Sequence, residues 1–566
     1  MGRIAHRSSL PPALIVLSLA AFAGALVLYV RTAAPDVLSG DSAEFQFAAP
    51  LLAVPHPTGY PLYILLAKLA TLVVPFGSIA YRVTLVSAVA GAGTVALLVL
   101  LAWRATGSLL ASLVAATALA ASPGLWNGAT LAEVYTLHTL LLVLLAGALW
   151  QTYAAWQAEE EGQTHPSHEE GTGKKGGSWR FWLAGAACTT GLGFSNHGSF
   201  LFTGVPLLVG YGAFLLAASP VSSPAPSPAP PPLAQRVRLI VVVGFWGLVG
   251  LAPWLLVLVQ YARLGPFDGL DHGLDYGLHQ AGIPPPHPVT YFWGGPTTWS
   301  EAIAHLFGGV MRGGVFELPG VARLGAVGLA LVERLWFEFG PLGTILGGVG
   351  FIALLRRSPG VWVGSAWVAA ATVLYVSSLG RAVQDAMVFT MPLLLPWSLW
   401  VGVGAGVLAS LGTRVTAFGR RRWGKGVSAA VLGLLLVLML VWGYTRFPYG
   451  NKAHLHLFRT FGEGALARMS PGAVVLVQWE QGTTLQYLRL AEGQRPDLWV
   501  DIVEPGDEAW EQRVRRRYPD QTVYAIGSAE DRAALGGRHI WGTDYATLFL
   551  LEPGEGEGEH HPLKDE

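Results

Sequence analysis

Residues 39–69 read SGDSAEFQFAAPLLAVPHPTGYPLYILLAKL. Asp41 and Glu44 stand three residues apart, so on a helix their carboxylates share a face. Such a pair serves as a base with a helper, or holds a divalent cation. The same spacing also makes a capping box, with Asp41 as N-cap and Glu44 reaching back to free N–H groups. Pro55, Pro57, Gly59 and Pro61 then impose an irregular backbone around His56 and Tyr60. At a membrane such backbone is tolerated where it is buried in protein or lines a cavity. The apolar run 62–74 carries Lys68 and is too short to cross a bilayer, so it reads as a helix lying at the interface.

The chain around this stretch is built for lipid. Of 566 residues 52% are hydrophobic and 13% charged, and mean hydropathy is +0.46. A soluble globular protein carries roughly 25% charged residues. That composition excludes an ordinary soluble enzyme, a disordered protein and a nucleic-acid binder. Basic and acidic residues balance at 36 each, so no global field selects a partner. One cysteine, Cys188, leaves no intramolecular disulfide and no cysteine-based zinc site. The 21 tryptophans suit membrane interfaces.

Eleven apolar segments are long enough to be candidate spans: 11–30, 82–103, 108–122, 131–152, 180–195, 200–217, 237–259, 338–355, 361–379, 387–410 and 426–445. The first follows Arg3 and Arg7 and resembles a signal peptide, but its length and the many later spans favour an uncleaved anchor. Placing the N-terminus in the cytoplasm puts Arg104, Lys174, Lys175, Arg236, Arg238, Arg356, Arg357 and Arg420, Arg421, Arg422 inside. The short outer segments then keep Arg31, Lys68, Arg82 and Arg381. This bias supports eleven spans with the C-terminus outside and a non-spanning 62–74.

The expected fold is an α-helical polytopic membrane protein with a small C-terminal soluble α/β domain. Residues 1–445 form the membrane domain, with 31–80 as its first outer loop. Residues 446–555 form the extracytoplasmic domain and 556–566 a disordered tail. VVLVQ, LWVDIV, TVYAI and ATLFLLE read as buried strands, and TTLQYLRLAEG and EAWEQRVRRRY as amphipathic helices, which predicts a mainly parallel sheet. Residues 157–178 and 219–234 are low-complexity connectors. The long outer stretch 260–336 is either a lid or a plain surface loop.

On this map the unusual polar residues collect on the outer side: Asp41, Glu44 and His56 in the first outer loop, Glu133 in the second, Asn196 and His197 in the third, and Arg381 and Asp385 before span ten. Ionisable groups near a membrane are costly and face a bundle interior or wet cavity. Convergence from separate loops predicts a shared cleft. Glu133 and His56 each also admit a plain structural role, as helix cap and loop tie.

Residues 40–90 resemble a family of bacterial and eukaryotic membrane proteins grouped with the protein O-mannosyltransferase-like enzymes of the GT-C class. The family's GDSGE, HPPGYPL, PFGS and RVNLFSA elements stand here as GDSAE (40–44), HPTGYPL (56–62), PFGS (75–78) and RVTLVSA (82–88). Glu133-Val134-Tyr135, Ser195-Asn196-His197, Asp385 ahead of Pro392, and YLRLAEGQRPDLWVDIV are further matches. Ala43 and Thr58 depart from the pattern, and Trp479-Glu480-Gln481-Gly482-Thr483-Thr484 replaces a GDNDTF-like stretch. The resemblance implies a GT-C-like fold, a sugar donor on a polyprenyl phosphate, an acidic residue in the first outer loop, and no metal or other cofactor, although Asp41 and Glu44 leave a divalent cation open.

The expected reaction moves mannose or another hexose, with inversion, to an acceptor hydroxyl on exported protein or glycan. Asp41 is the expected base, with Glu44 orienting it or binding sugar. His56, Arg82 and Arg381 are the candidates for the donor phosphate. Tyr60, Glu133, Asn196, His197 and Asp385 are candidates for sugar or acceptor. The other partner is the lipid bilayer, and composition rich in Gly, Ala, Arg and Pro hints at a bacterial inner membrane. A transporter of a lipid-linked substrate and a non-catalytic scaffold are the competing readings; a transporter places its charges near the bilayer midplane.

Overall fold

The computed structural model describes residues 10–164, 178–217, 233–265, 291–308, 319–380, 382–416, 421–502, 518 and 521–551. The chain opens with α1 (Pro12–Thr32), an apolar helix with proline in its first turn, where the missing N–H costs nothing. Two shorter helices, α2 (Gly40–Leu51) and α3 (Pro61–Val73), precede α4 (Ile79–Thr106). Ser78 caps α4 by accepting from the Tyr81 N–H. A bent pair follows, α5 (Leu109–Ala120) and α6 (Pro123–Thr130), crossing at 59°. Then come α7 (Tyr135–Thr164), α8 (Ser178–Asn196), the short α9 (Phe200–Thr203), α10 (Val205–Ala217), and the second bent pair α11 (Leu233–Gly250) and α12 (Leu255–Leu264). The long-loop helix α13 (Trp299–Leu306) leads to α14 (Val321–Arg357), α15 (Pro359–Ser377), the single turn α16 (Val383–Ala386), α17 (Met391–Thr416) and α18 (Arg421–Thr445).

Each of the eleven expected segments is helical. Among the described residues seven helices are long and apolar enough to cross a membrane, or nine if each bent pair counts as one span. The chain is an integral membrane protein by this measure. Two departures have physical causes. The helix expected near 338 begins at Val321, because Arg323, Glu333, Arg334 and Glu338 hide its first half from a hydropathy reading. That helix then breaks at Gly340, whose φ of 66° precedes Pro341. Just before the break, Glu338 pairs with Arg334 at 2.7 Å and accepts from the Gly124 N–H at 2.8 Å, tying α14 to the start of α6.

Small residues let the helices touch backbone to backbone. A Cβ on Gly350 would lie 1.8 Å from the Trp400 carbonyl oxygen, and one on Gly404 2.1 Å from that of Leu346, so α14 and α17 have no room to spare. Gly191 and Gly250 bring α8 and α11 together in the same way.

The run expected to lie flat forms α3. It buries Tyr63, Ile64 and Ala67 and leaves Leu65, Leu66, Leu69, Leu72 and Val73 exposed, as an interfacial helix does. Lys68 reaches back to the Pro50 carbonyl at 2.5 Å, fastening α3 to the end of α2.

Beyond α18 lie α19 (Phe447–Gly450), α20 (Leu457–Leu466) and a five-stranded sheet of order β2-β1-β3-β5-β4. β1 (Val474–Val477), β2 (Trp499–Ile502) and β3 (Val523–Gly527) are parallel, with Val474 opposite Trp499 and Val523. β5 (Thr547–Leu551) runs antiparallel to β3, and β4 (Arg538–Gly542) antiparallel to β5. The four expected strands are present. β4 escapes a sequence reading because this edge strand, RHIWG, is largely exposed and carries no apolar run. After β1, α21 (Trp479–Gln486) passes into a π-helical turn through Ala491, and α22 (Ala529–Ala534) follows β3. The helix expected in EAWEQRVRRRY and the disordered tail lie outside the described residues.

Replacing Gly404 by leucine is expected to force α14 and α17 apart and lower stability by about 1–3 kcal/mol. Gly348→Ala, which meets nothing within 4 Å, leaves it unchanged. Thermal unfolding of the detergent-solubilised protein separates the two.

Candidate active site

The acidic motif sits at the start of α2. Ser39 is extended (φ −128°) and Gly40 takes φ +57°, a left-handed value that suits glycine. A Cβ on Gly40 would also lie 2.7 Å from Oε2 of Glu480. Asp41 therefore falls in the first turn, after the N-cap, and the capping box is not formed: no side chain caps α2. Gln46, one turn beyond Ser42, accepts from the Leu38 N–H at 2.9 Å and donates to Thr84 at 3.3 Å, anchoring α2 against α4.

Asp41 and Glu44 are not in direct contact. His56 stands between them. Its Nδ1 is hydrogen-bonded to Glu44 and its Nε2 lies 3.7 Å from Asp41 Oδ2. Glu44 is fully buried and also accepts from the His56 backbone N–H at 3.0 Å and from Tyr291 Oη at 2.5 Å. Asp41, by contrast, keeps half of its side chain exposed. His56 Nε2 is 2.9 Å from Tyr60 Oη, which donates to the Pro57 carbonyl at 3.0 Å. Burial alone would strip the imidazole of its proton, but the carboxylates of Asp41, Glu44 and Glu133 outweigh that and lift its pKa from 6.5 to about 9. The network accordingly suits an imidazolium that donates at both nitrogens, to Glu44 and to Tyr60.

The proline-rich turn is braced from the stretch around Tyr291 and His305. His305 on α13 meets the Pro55 carbonyl through Nε2 at 2.8 Å. Burial pushes its pKa down to about 4, so it acts as a neutral N–H donor. Val54 forms a β-bridge with Phe292. The described parts of the stretch 260–336 thus brace the site: Tyr291 bonds Glu44 and His305 bonds Pro55.

Glu133 joins from the link between α6 and α7. It accepts from Ser42 Oγ at 2.9 Å, and its backbone exchanges hydrogen bonds with Ser87. Burial first, and then the charge of Asp41, push its carboxyl up to about 8. Asn196 is buried and donates to the Val134 carbonyl at 3.1 Å, holding that link. His197 is bound to Ser199 at 2.7 Å, with its ring 5.7 Å from that of Tyr60 and 5.5 Å from that of Tyr135. Burial and the neighbouring His56 charge push it down to about 4.

Asp41, Glu44, His56, Tyr60, Glu133, Asn196 and His197 thus occupy one region. Arg82 does not join it. Expected on a donor phosphate, its guanidinium instead donates to the carbonyls of Thr71 in the last turn of α3 and of Phe76 and Gly77 in the turn that follows. Arg381 and the Asp385 side chain lie outside the described residues. Among the described residues no group of three His, Cys, Asp or Glu side chains is placed to hold a metal ion. Sequence reasoning missed Tyr291 and Trp479. The Trp479 indole donates to Asp41 Oδ1 at 2.9 Å, and its ring lies 6.2 Å from that of His56.

Removing the Glu44 charge strands a buried imidazolium. Glu44→Gln is expected to cost about 3–5 kcal/mol, read as a lowered unfolding midpoint, whereas Asp41→Asn, at a half-exposed side chain 3.7 Å from the imidazole, is expected to lower the midpoint by less than Glu44→Gln does.

Residues 41–215 match the model described as the protein O-mannosyl-transferase TMEM260 N-terminal domain. Mouse protein O-mannosyl-transferase TMEM260 is 37% identical over 143 residues, 25% of this chain and 20% of that protein. The Dictyostelium discoideum protein of the same name is 22% identical over 532 residues, 87% of this chain and 57% of that one. The chain spans less than two thirds of either relative. ArnT from Cupriavidus metallidurans, solved bound to undecaprenyl phosphate, superposes with a TM-score of 0.56 at 12% identity, covering 97% of this chain and 100% of ArnT. The Archaeoglobus fulgidus oligosaccharyltransferase AglB, solved with an inhibitory peptide and a dolichol-phosphate, gives 0.51 at 12% identity, covering 95% of this chain and 74% of AglB. At such identities the likeness is one of fold. The chain therefore carries, over residues 41–215, the sequence pattern of the TMEM260 protein O-mannosyl-transferase N-terminal domain, set in a fold like that of ArnT and AglB.

Proposed function

We propose that the protein is a membrane glycosyltransferase that moves a hexose, mannose in the first instance, from a polyprenyl-phosphate donor to a hydroxyl acceptor. The acceptor class proposed is Ser or Thr of exported protein. The reaction takes place on the outer face, with the N-terminus cytoplasmic and the C-terminal domain extracytoplasmic. The observation that carries the reading is the contrast within the acidic motif: Glu44 is consumed by buried hydrogen bonds, while Asp41 keeps a half-exposed carboxylate beside a charged imidazole. Relatives named as protein O-mannosyl-transferases, and a neighbour in fold holding undecaprenyl phosphate, support the donor and the chemistry.

In this scheme Asp41 accepts the acceptor's proton as that oxygen attacks the anomeric carbon. The bond from that carbon to the phosphate oxygen breaks, and the configuration inverts. Polyprenyl phosphate leaves already ionised, so it needs positive charge rather than a proton. His56 supplies charge, with Arg381 the remaining basic candidate. Protonated at neutral pH, Glu133 donates to a sugar or acceptor oxygen, and His197 and Tyr60 line the same side. No divalent cation is required.

Purified protein in lipid, given labelled polyprenyl-phosphate mannose and a Ser/Thr peptide, is expected to transfer sugar, and Asp41→Asn to lower the rate by about 10²–10⁴-fold. Transfer undiminished in the variant would move the base elsewhere, and none with any donor would sink the enzyme reading.

The pH dependence follows from two raised groups. As pH rises through about 8 and then about 9, Glu133 and His56 each lose a proton, and the pocket gains negative charge in front of a phosphate. Transfer is expected to fall on that alkaline limb. Glu133→Gln leaves the limb near 9 alone. Stability moves the same way, because both folded values are raised: the Glu133 contribution declines between pH 4.5 and about 8, and the His56 contribution between 6.5 and about 9.

A further inference from the structure

The segment that carries Asp41 is held at five residues by the C-terminal domain. Asp36 takes a two-pronged pair from Arg459, at 2.5 and 2.7 Å, and the same guanidinium binds Glu463 and Glu492. The Leu38 carbonyl accepts from Thr484 Oγ1 at 2.7 Å. Ser39 bonds Glu480 and Tyr545. The Glu480 carboxylate fills the space that a Cβ on Gly40 would need. The last hold, on Asp41 itself, is the Trp479 indole.

Trp479 is the first residue of α21, directly past the C-terminal end of β1, which is flanked on both sides by parallel strands. The ends of such strands are where open α/β sheets place the residues that meet ligands. The contact is also specific in kind. Asp41 Oδ2 is 3.7 Å from His56 Nε2, too long for a hydrogen bond. The indole N–H at 2.9 Å is therefore what fixes the rotation of this carboxylate, leaving Oδ2 turned toward the imidazole and the open side of the pocket.

We infer that Trp479 is a positioning residue for Asp41, and that the transfer centre is built by both domains. The inference rests on the transferase reading above and adds a residue to it. In this role the C-terminal domain does more than cover the outer face: it sets the angle at which the base meets the acceptor hydroxyl. Misplacement of such a group costs rate rather than binding, because the donor and acceptor still enter the pocket.

The test uses the full chain in lipid with the same donor and peptide. Trp479→Phe keeps a ring and deletes the N–H. It is expected to lower kcat by about 10–100-fold with the donor KM within about twofold. Added to Asp41→Asn, it is expected to lower the residual rate no further, since the group it positions is already gone. A Trp479→Phe protein with wild-type kcat overturns the inference, as does an equal loss in the Asp41→Asn background. So does a Trp479→Leu protein that fails while Trp479→Phe succeeds, which would assign the ring face to sugar stacking. Should the wild type transfer nothing, the reading of function fails on its own account, and with it the role in catalysis. The contact is then decided by the indole N–H resonance that disappears in Trp479→Phe. Its displacement in Asp41→Ala upholds the domain-to-loop bond, and an unmoved resonance overturns it.

Discussion

A protonated imidazole enclosed by carboxylates organises the candidate site of this molecule. His56 is buried, and a charge there is tolerable only because Glu44 meets one nitrogen, Tyr60 the other, and Asp41 lies close by. Much else follows from accommodating that charge. Glu44 must be on the inner side of α2, so α2 must start at Gly40 with its left-handed turn. The prolines around His56 must be held in place, which Phe292, His305 and Tyr291 accomplish from a stretch more than 200 residues away, by bonding Val54, Pro55 and Glu44. Asp41 is then the member of the pair left facing outward.

The membrane helices serve this arrangement by bringing loops to one end at fixed distances. Close backbone contact through Gly350, Gly404, Gly191 and Gly250 leaves little freedom for sliding, because each contact is shaped for the absence of a side chain. The links that carry Glu133 and His197 inherit that precision, with Asn196 and Ser87 pinning the first of them. The interfacial helix α3 belongs to the same frame: Lys68 fixes its middle to α2 and Arg82 ties its end to α4.

Much of this was legible in the sequence. Apolar length marked the helices, the prolines and Lys68 marked α3 as a separate short helix, and short apolar runs marked four strands. The convergence of Asp41, Glu44, His56, Glu133 and His197 followed from placing their loops on one side. Other residues were opaque for physical reasons. An arginine beginning a helix beside PFGS serves a phosphate or the carbonyls of the preceding helix and turn equally well, and in Arg82 the carbonyls win. A strand such as RHIWG buries too little to show a period. Trp479 gave no signal because its partner lies 438 residues earlier and the surrounding stretch departs from the family's pattern. Tyr291 sits in a loop whose composition fits either a surface or a binding element.

The distance between Asp41 and Trp479 along the chain also has a meaning in time. The acidic loop leaves the ribosome 438 residues ahead of its indole partner. At about 5–20 residues per second that interval is about 20–90 s. Throughout it Asp36, Leu38 and Asp41 wait without Arg459, Thr484 and Trp479, although α1, α2 and α3 already exist. The pocket thus stays open and unfinished over that interval, until Arg459, Thr484 and Trp479 have folded against it.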